Sequence, residues 1–380
     1  MKINLLEISN ILQKGMRKIS LSGIFLVLLP ISYYTRFMFD WNFELQSFIW
    51  FTISLLVMLY MLIYSKDISK YLYLLLCIDI FAIISIVMNK SHSIFYVGNL
   101  IAAQSWGALL YYRRKNLKPL EILSVFFILY SFYRVYSTPR VLISSWQYGR
   151  IISKLVRQNT ISIFLCEFLS YDLIYRYYSG KKVNYLLFYI SIITAVLCEG
   201  MGGILSISAF FIGILFINRK KDKIYIRKLL LFVIILIIVL IATGNIQDVL
   251  ANVTDDNGRF YIWENYINCI DSIKDFLFGA DVSSVPFLVI ANNMHNTYMN
   301  WHFSYGLIPF IFFAYRNIKG YIHTIINKQG IFFLVMSITF IRSFTDEAEF
   351  AFGGIWTFIW LCSLVNSDKI NNSCENIKTF

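Results

Sequence analysis

Long apolar stretches separated by short polar connections run through most of the chain. Twelve of them are long enough, or nearly so, to cross a membrane, since a helix needs roughly 20 apolar residues to span the hydrocarbon. They cover residues 20–38, 45–64, 70–89, 93–112, 119–138, 159–177, 184–198, 202–218, 228–244, 297–315, 330–344 and 350–366. The pattern predicts an all-α polytopic membrane protein, a single transmembrane domain over residues 1–380 with about 12 transmembrane helices.

Three segments depart from this pattern. Residues 1–19 place apolar side chains at helical spacing against lysine and arginine, which predicts an amphipathic segment on the cytoplasmic leaflet. Residues 139–158 form a basic loop, and residues 245–296 form a long acidic loop between the ninth and tenth predicted spans. Loops of such length are usually functional, so we expect chemistry in these two.

The composition supports a membrane location. Of the 380 residues, 58% are hydrophobic and only 15% are charged, which is too apolar for a soluble globular protein. The net charge of +12 does not indicate nucleic-acid binding, because the basic residues are scattered over short connections between spans. We therefore expect no nucleic-acid partner.

The same basic residues predict the orientation, because Lys and Arg near span ends are retained on the cytoplasmic side. With the N-terminus inside, ten of the 34 Lys and Arg residues lie outside or near the outer boundary, and the other 24 lie inside. Both termini are then cytoplasmic. The loops 139–158 and 245–296 are then on the outer side.

Several polar side chains gather at the start of the tenth predicted span. If a helix begins near Asn296, then His295, Tyr298, His302 and Tyr305 follow at i, i+3, i+7 and i+10. This spacing places them on one face of the helix. We expect that face to line one wall of a cleft that opens outward.

The outer loops also carry candidate cationic and aromatic groups. Arg140 and Arg157 belong to the basic loop, where an anionic partner such as a lipid phosphate or pyrophosphate would suit them. In the acidic loop, residues 255–258 form a helix-start signal. Arg259 then lies in the first turn of an amphipathic helix that also contains Trp263.

Metal and nucleotide chemistry find little support in the sequence. Two histidines a heptad apart, without an HExxH motif, argue against a zinc peptidase. The chain contains no GxxxxGK[ST] motif, which excludes an intrinsic P-loop ATPase.

Three short motifs occur late in the chain. They are Gly258-Arg259-x-x-x-Trp263, Phe278-Gly279-x-Asp281, and His295-Asn296 followed, after nine intervening residues, by Gly306. These motifs resemble those of the O-antigen polymerase and O-antigen ligase superfamily, whose members are glycosyltransferases of the bacterial envelope. The resemblance extends to the number of spans and the late outer loop, but the sequence match is confined to residues 258–309.

Two departures favour the polymerase branch over the ligase branch. Ligases carry a Ser-Arg-Gly turn before a mid-chain span, whereas residues 199–203 read Glu-Gly-Met-Gly-Gly and contain no arginine. Pro309 stands where ligases prefer Gly, Thr or Tyr.

The resemblance implies a reaction and its surroundings. Family members transfer an oligosaccharide from a polyprenyl pyrophosphate carrier to a sugar hydroxyl, without a nucleotide donor, a metal or another cofactor. The reaction takes place at the outer face of the bacterial cytoplasmic (inner) membrane, during O-antigen (lipopolysaccharide) or capsular polysaccharide biosynthesis. Partners would be the carrier-linked oligosaccharides, membrane lipids, a chain-length regulator and a flippase.

The resemblance also suggests roles for individual side chains. His295 is the candidate base for the acceptor hydroxyl, since imidazole accepts a proton near neutral pH. Arg259 is the candidate that stabilises the leaving diphosphate, because a guanidinium pairs with two oxygens at once. The candidate substrate-binding residues are Asn296, Tyr298, Arg140, Arg157, Trp263 and His302.

Alternative functions remain open. A ligase would transfer finished polymer to lipid A-core. A flippase or transporter is supported by Asp79 and Glu167, because ionisable groups within predicted spans are functional by default. A metal-dependent membrane glycosyltransferase has only Asp40 and Glu44 in its favour, and a structural scaffold has no positive feature.

Overall fold

The computed structural model contains fifteen helices and one two-stranded hairpin within the residues that it describes. The described residues are 20–38, 43–90, 96–139, 141–144, 147–149, 158–198, 201–218, 227–235, 259–280, 296–344 and 349–365. The elements are α1 (Leu21–Met38), α2 (Phe43–Tyr64), α3 (Ser69–Asn89), α4 (Val97–Arg113), α5 (Lys118–Ser137), β1 (Val141–Ser144), β2 (Gln147–Gly149), α6 (Gln158–Ser179), α7 (Tyr185–Leu197), α8 (Met201–Asn218), α9 (227–235), α10 (Arg259–Asn268), α11 (Ile273–Phe278), α12 (Thr297–Tyr305), α13 (Leu307–Ile326), α14 (Gly330–Ser343) and α15 (Glu349–Leu364).

The predicted helical class is confirmed for the described residues. Eleven of the twelve predicted spans each coincide with one helix, and the described helix ends lie within four residues of the prediction. The ninth of these is described only over 227–235. Three helices are long and apolar enough to cross a membrane by length and composition, namely Leu45–Tyr64, Ser69–Asn89 and Lys118–Ser137. The number of spans stays a prediction.

The tenth predicted span, 297–315, is not one continuous helix, so that prediction was wrong. It divides at Gly306 into α12, of 9 residues, and α13, of 20 residues. Gly306 has φ 77°, a backbone conformation that L side chains rarely adopt. A nine-residue helix rises only about 14 Å, so α12 alone is too short to cross a membrane.

Helix α4 lies at the centre of the bundle and packs closely on α15. Nearly all of its residues from Val97 to Tyr111 are buried. A Cβ at Gly107 would lie 2.5 Å from the Cβ of Thr357, and a Cβ at Gly353 would lie 2.9 Å from that of Ala103. Small residues at such a contact let two backbones approach, a common arrangement in membrane helix pairs.

Several contacts define one end of the bundle, here called the Asn89 end. The Asn89 side chain, at the last residue of α3, donates to the carbonyl of Phe303 in α12. Arg342, near the end of α14, donates to Ser162, near the start of α6. The charge pattern assigns the end of α3, the start of α12, the end of α14 and the start of α6 to the outer side.

Contacts at the opposite end join helix ends that the charge pattern assigns to the cytoplasm. Arg113 at the end of α4 donates to Ser20, just before α1. Arg176 near the end of α6 forms ion pairs with Asp172 and with Glu121 in the first turn of α5. The grouping of helix ends therefore agrees with the predicted alternation, while the direction in a membrane stays a prediction.

The basic loop 139–158 contains an element that the sequence did not predict. Strands β1 and β2, of four and three residues, pair antiparallel with Val141 opposite Gly149 and Leu142 opposite Tyr148. The hairpin is a local addition to a fold whose other described elements are all helices. The signal was missed because a few β-branched and aromatic residues form too short a pattern to distinguish from a loop.

Candidate functional site

Helix α10 brings the acidic loop onto the Asn89 end of the bundle. It begins at Arg259, directly after the predicted helix-start signal, which confirms that prediction. Ile262 and Tyr266, one turn apart, pack with Phe303 of α12 in a small apolar cluster. The Trp263 ring is half-buried beside this cluster, edge to face with Phe260 at a centroid distance of 5.3 Å.

His302 connects α12 to both helices of the acidic loop. Its Nε2 lies 2.8 Å from the carbonyl oxygen of Phe276, which can only accept, so Nε2 carries the proton. Its Nδ1 then accepts from the Tyr266 hydroxyl at 2.6 Å. Burial raises the pKa of Tyr266 well above its usual value, which keeps the hydroxyl protonated as a donor. Both imidazole nitrogens are therefore engaged in holding α10 and α11.

Two glycines allow the chain to approach itself closely beside His302. Gly279, with φ 85°, would place a Cβ 2.5 Å from the carbonyl oxygen of Phe303. Gly306 would place one 2.6 Å from the carbonyl oxygen of Leu277 and 2.5 Å from the hydroxyl of Ser85. Any side chain larger than hydrogen would separate α11 from the break between α12 and α13.

Asn89, the last residue of α3, also contacts α11 and α12. Its amide nitrogen donates to the carbonyl of Phe278 at 2.7 Å and to the carbonyl of Phe303 at 2.8 Å. Carbonyls at helix ends lack intrahelical partners, and the buried Asn89 supplies one for each. The ends of α3, α11 and α12 are thereby joined by a single side chain.

Asn296 and Tyr298 have structural partners at the start of α12. The Asn296 side-chain oxygen accepts from the backbone N–H groups of Tyr298 and Met299 at 2.9 and 3.1 Å, which makes Asn296 the N-cap. The Tyr298 hydroxyl donates to the carbonyl of Phe340 at 3.3 Å. Contact of either residue with a sugar stays a prediction.

The predicted polar wall along α12 is wrong for the three of its members that the structure describes. Tyr298 packs against α14, His302 contacts α10 and α11, and the buried Tyr305 ring stacks on Tyr96 at 5.8 Å. Because α12 is short and lies among several helices, side chains on one of its faces meet different neighbours. They do not line one open cleft.

Several predicted site residues lie outside what the structure describes. His295, Arg140 and Arg157 belong to segments that are not described. Arg259 is the first residue of α10, and its backbone alone is described. Their functional roles stay predictions.

Arg342 is a functional candidate that the sequence analysis did not single out. It is only 1% exposed, and its Nη2 donates to the Ser162 hydroxyl at 2.8 Å. A Cβ at Gly202 would lie 2.6 Å from its Nη1, so the glycine leaves room for the guanidinium. Gly202 belongs to the 199–203 segment, where ligases carry an arginine. The sequence did show an arginine close to the end of an apolar stretch. Arginines at such positions are normally explained by membrane orientation and not by function.

Arg316 is a second buried arginine, inside α13. Its Nη1 donates to the Thr357 hydroxyl at 3.0 Å and its Nε to the Asn317 side-chain oxygen at 3.2 Å. The guanidinium also lies over the Phe313 ring, 5.0 Å from its centroid. The surrounding side chains thus accommodate a cation within the bundle.

The two carboxyls noted in the predicted spans both face the bundle interior. Asp79 accepts from the Gln104 amide at 2.7 Å. Glu167 accepts from the Tyr171 hydroxyl, which itself accepts from the Trp106 indole at 2.7 Å. Both side chains are buried, so neither would face lipid.

The chain was compared with protein-family models, with characterised proteins and with solved structures, and none of them matches it. Among the described residues, no group of three or more His, Cys, Asp or Glu side chains is arranged to hold a metal ion. The described helices include three that are long and apolar enough to span a membrane.

Proposed function

We propose that the protein polymerises polyprenyl-pyrophosphate-linked oligosaccharide repeat units into O-antigen or capsular polysaccharide. The reaction occurs at the outer face of the bacterial cytoplasmic membrane, and the Asn89 end of the bundle is that face. The acceptor and the donor are both carrier-linked, so both reach the site from the membrane.

The proposal rests on one observation. The segments that carry the separate motifs are in contact with one another. The segment beginning at Arg259 contacts α12 through the hydrogen bond between Tyr266 and His302. The Phe278-Gly279 segment contacts α12 through Gly279 and the Phe303 carbonyl, and Gly306 contacts the Leu277 carbonyl. Three separate motifs that resemble one family thus share one junction. This favours a common task over chance similarity.

The proposed chemistry uses the residues to which the family resemblance gives roles. An acceptor hydroxyl oxygen attacks the anomeric carbon of the donor sugar while the bond from that carbon to the diphosphate oxygen breaks. His295, one residue before the Asn296 cap, takes the hydroxyl proton. Arg259 stabilises the negative charge that develops on the departing carrier diphosphate.

The remaining candidates serve substrate binding. Arg140 and Arg157 attract the carrier phosphates, and Trp263 stacks on a sugar ring. Arg342 is added to this group because its guanidinium lies at the Asn89 end, where it donates to the Ser162 hydroxyl. Its position beside Gly202 offsets the missing arginine of the 199–203 segment.

The flippase alternative draws on the interrupted helix, since transporters place helix breaks and ionisable groups near the membrane midplane. Here Gly306 contacts Ser85, which is four residues, or about 6 Å along α3, from Asn89. The break therefore lies near the end of the bundle. Asp79 remains the feature in favour of transport.

The test uses cells that lack the protein. Loss of a polymerase leaves single repeat units, which a separate ligase still attaches to the surface lipid. Loss of a ligase leaves long polymer on the carrier, and loss of a flippase leaves single carrier-linked units on the inner leaflet. Gel analysis of surface glycans, with mass spectrometry of carrier-linked species, separates the three results.

The variant His295→Ala should reproduce the deletion and give one-repeat surface glycans. Without the base, transfer should slow by roughly a hundredfold, a typical contribution of general-base catalysis. His323→Ala is a matched control, since His323 lies in the last turn of α13, away from the Asn89 end. Normal polymer in the His295 variant would remove this residue from the mechanism.

A further inference from the structure

Helix α11 turns its apolar side chains away from the protein. Ile273, Phe276 and Leu277 are 80%, 52% and 39% exposed. They fall within one face of the helix at 3.6 residues per turn. A six-residue helix that exposes three large apolar side chains would be unfavourable in water.

The backbone of α11 is held in this orientation by hydrogen bonds. The Phe276 carbonyl accepts from His302, and the Phe278 carbonyl accepts from Asn89. Gly279 then packs directly on the Phe303 carbonyl. With these contacts in place, α11 cannot rotate to bury its apolar face.

The exposed face of α11 adjoins exposed apolar surfaces of its neighbours. Helix α11 packs against the end of α3 and the start of α13. In α3, Val87 and Met88 are 56% and 41% exposed, and in α13, Ile308 and Ile311 are 45% and 55% exposed. Exposed apolar residues continue along α13 at helical spacing, the pattern of a helix that faces lipid.

Helix α10 repeats the same arrangement. Phe260, Trp263 and Ile267 follow at i, i+3 and i+7 on one edge, and Phe260 and Ile267 are exposed. Glu264 and Asn268 are exposed on the next edge. One side of α10 packs on the protein, one edge is apolar, and another is polar, as in helices that lie at a membrane surface.

We propose that α10 and α11 lie in the headgroup region of one membrane leaflet, with their exposed apolar side chains inserted among lipid acyl chains. The occupant of this surface is membrane lipid, because the surface continues the lipid-facing stripes of α3 and α13. The part of the acidic loop that forms α10 and α11 thus lies at the membrane surface and not in water. The proposal goes beyond glycosyl transfer and does not depend on it.

Paired single-cysteine variants test the proposal. Ile273→Cys and the matched control Lys274→Cys lie side by side on α11, and both positions are exposed. Ile267→Cys and Glu264→Cys form an independent pair on α10, which answers the question if the α11 variants fail to assemble. Each full-length variant, with its native cysteines replaced by serine, carries a nitroxide label and is placed in nanodiscs of phosphatidylethanolamine and phosphatidylglycerol.

The measurement compares collisions of the label with oxygen, which concentrates in lipid, and with a water-soluble nickel chelate. The labels at 273 and 267 should favour oxygen several-fold over the chelate, and those at 274 and 264 should favour the chelate. If all four positions favour the chelate, the surface faces water and the proposal is wrong. Low access to both reagents at 273 and 267 would show that protein covers the surface, which also overturns it. No polymer is measured, so failure here is distinct from failure of the polymerase proposal.

Discussion

His302 illustrates how a residue type that suits catalysis can instead hold a structure together. Both of its ring nitrogens are engaged, one by Tyr266 and the other by the Phe276 carbonyl. A general base needs a nitrogen that can reach the acceptor hydroxyl. The geometry therefore favours a positioning role for His302, and His295 stays the proposed base.

Replacing His302 should reduce stability more than chemistry. His302→Ala removes two hydrogen bonds, and each partner left unsatisfied costs about 1–3 kcal/mol. Tyr266→Phe should destabilise less, by about 0.5–1.5 kcal/mol for one bond. Thermal unfolding in detergent measures both variants, and polymer is normalised to the amount of protein. A normalised activity of His302→Ala as low as that of His295→Ala would instead make His302 a member of the catalytic group.

Two arginines of the proposed site should not tolerate lysine. Arg259→Lys keeps the charge but loses the two-pronged contact with a diphosphate, so polymer formation should fall severely. Arg342→Lys should have a similar effect, since the Ser162 contact and the space beside Gly202 fit a guanidinium. Polymer length and amount are compared at equal expression. Arg227→Lys, at an exposed position at the start of α9, is the control and should be neutral.

At the scale of elements, the junction of α3, α11 and α12 depends on close backbone contact at Gly279. Gly279→Ala would push a methyl group against the carbonyls of Phe303 and His302, at 2.5 and 2.7 Å. We expect clear loss of folded protein and of polymer.

Gly180→Ala is the matched control for this substitution. Gly180 also has positive φ, at 68°, but a Cβ there would meet nothing within 4 Å. Both variants place an L residue at positive φ, but Gly279 combines this with ψ 151°, a region essentially restricted to glycine, so Gly279→Ala adds further backbone strain as well as the close contact. Size-exclusion profiles and thermal unfolding of the two proteins should therefore diverge. Equal behaviour would mean that the junction is loose.

Long helices such as α2 and α3 were predictable, because an apolar run of about 20 residues can form few structures other than a membrane-spanning helix. The break at Gly306 was missed because hydropathy stays high across it. A local signal was present, since Gly306 and Pro309 form a helix end followed by a first-turn proline. Contacts such as Arg342 with Ser162 join residues 180 apart, and no local pattern encodes them.

At the scale of the whole molecule, the distribution of charge decides the orientation on which every functional role depends. The helix ends group into two sets in the structure, but only the 24 basic residues on one side predict which set faces the cytoplasm. A reporter active only outside the cytoplasm, fused after Tyr261, should therefore be active, and the same reporter fused after Lys221 should be inactive. Fusions to a reporter active only in the cytoplasm should give the reverse pattern. If the fusion after Lys221 behaves as an outer position and the fusion after Tyr261 as a cytoplasmic one, the Asn89 end faces the cytoplasm. The carrier-linked acceptor and donor of the proposed reaction would then be on the opposite side of the membrane.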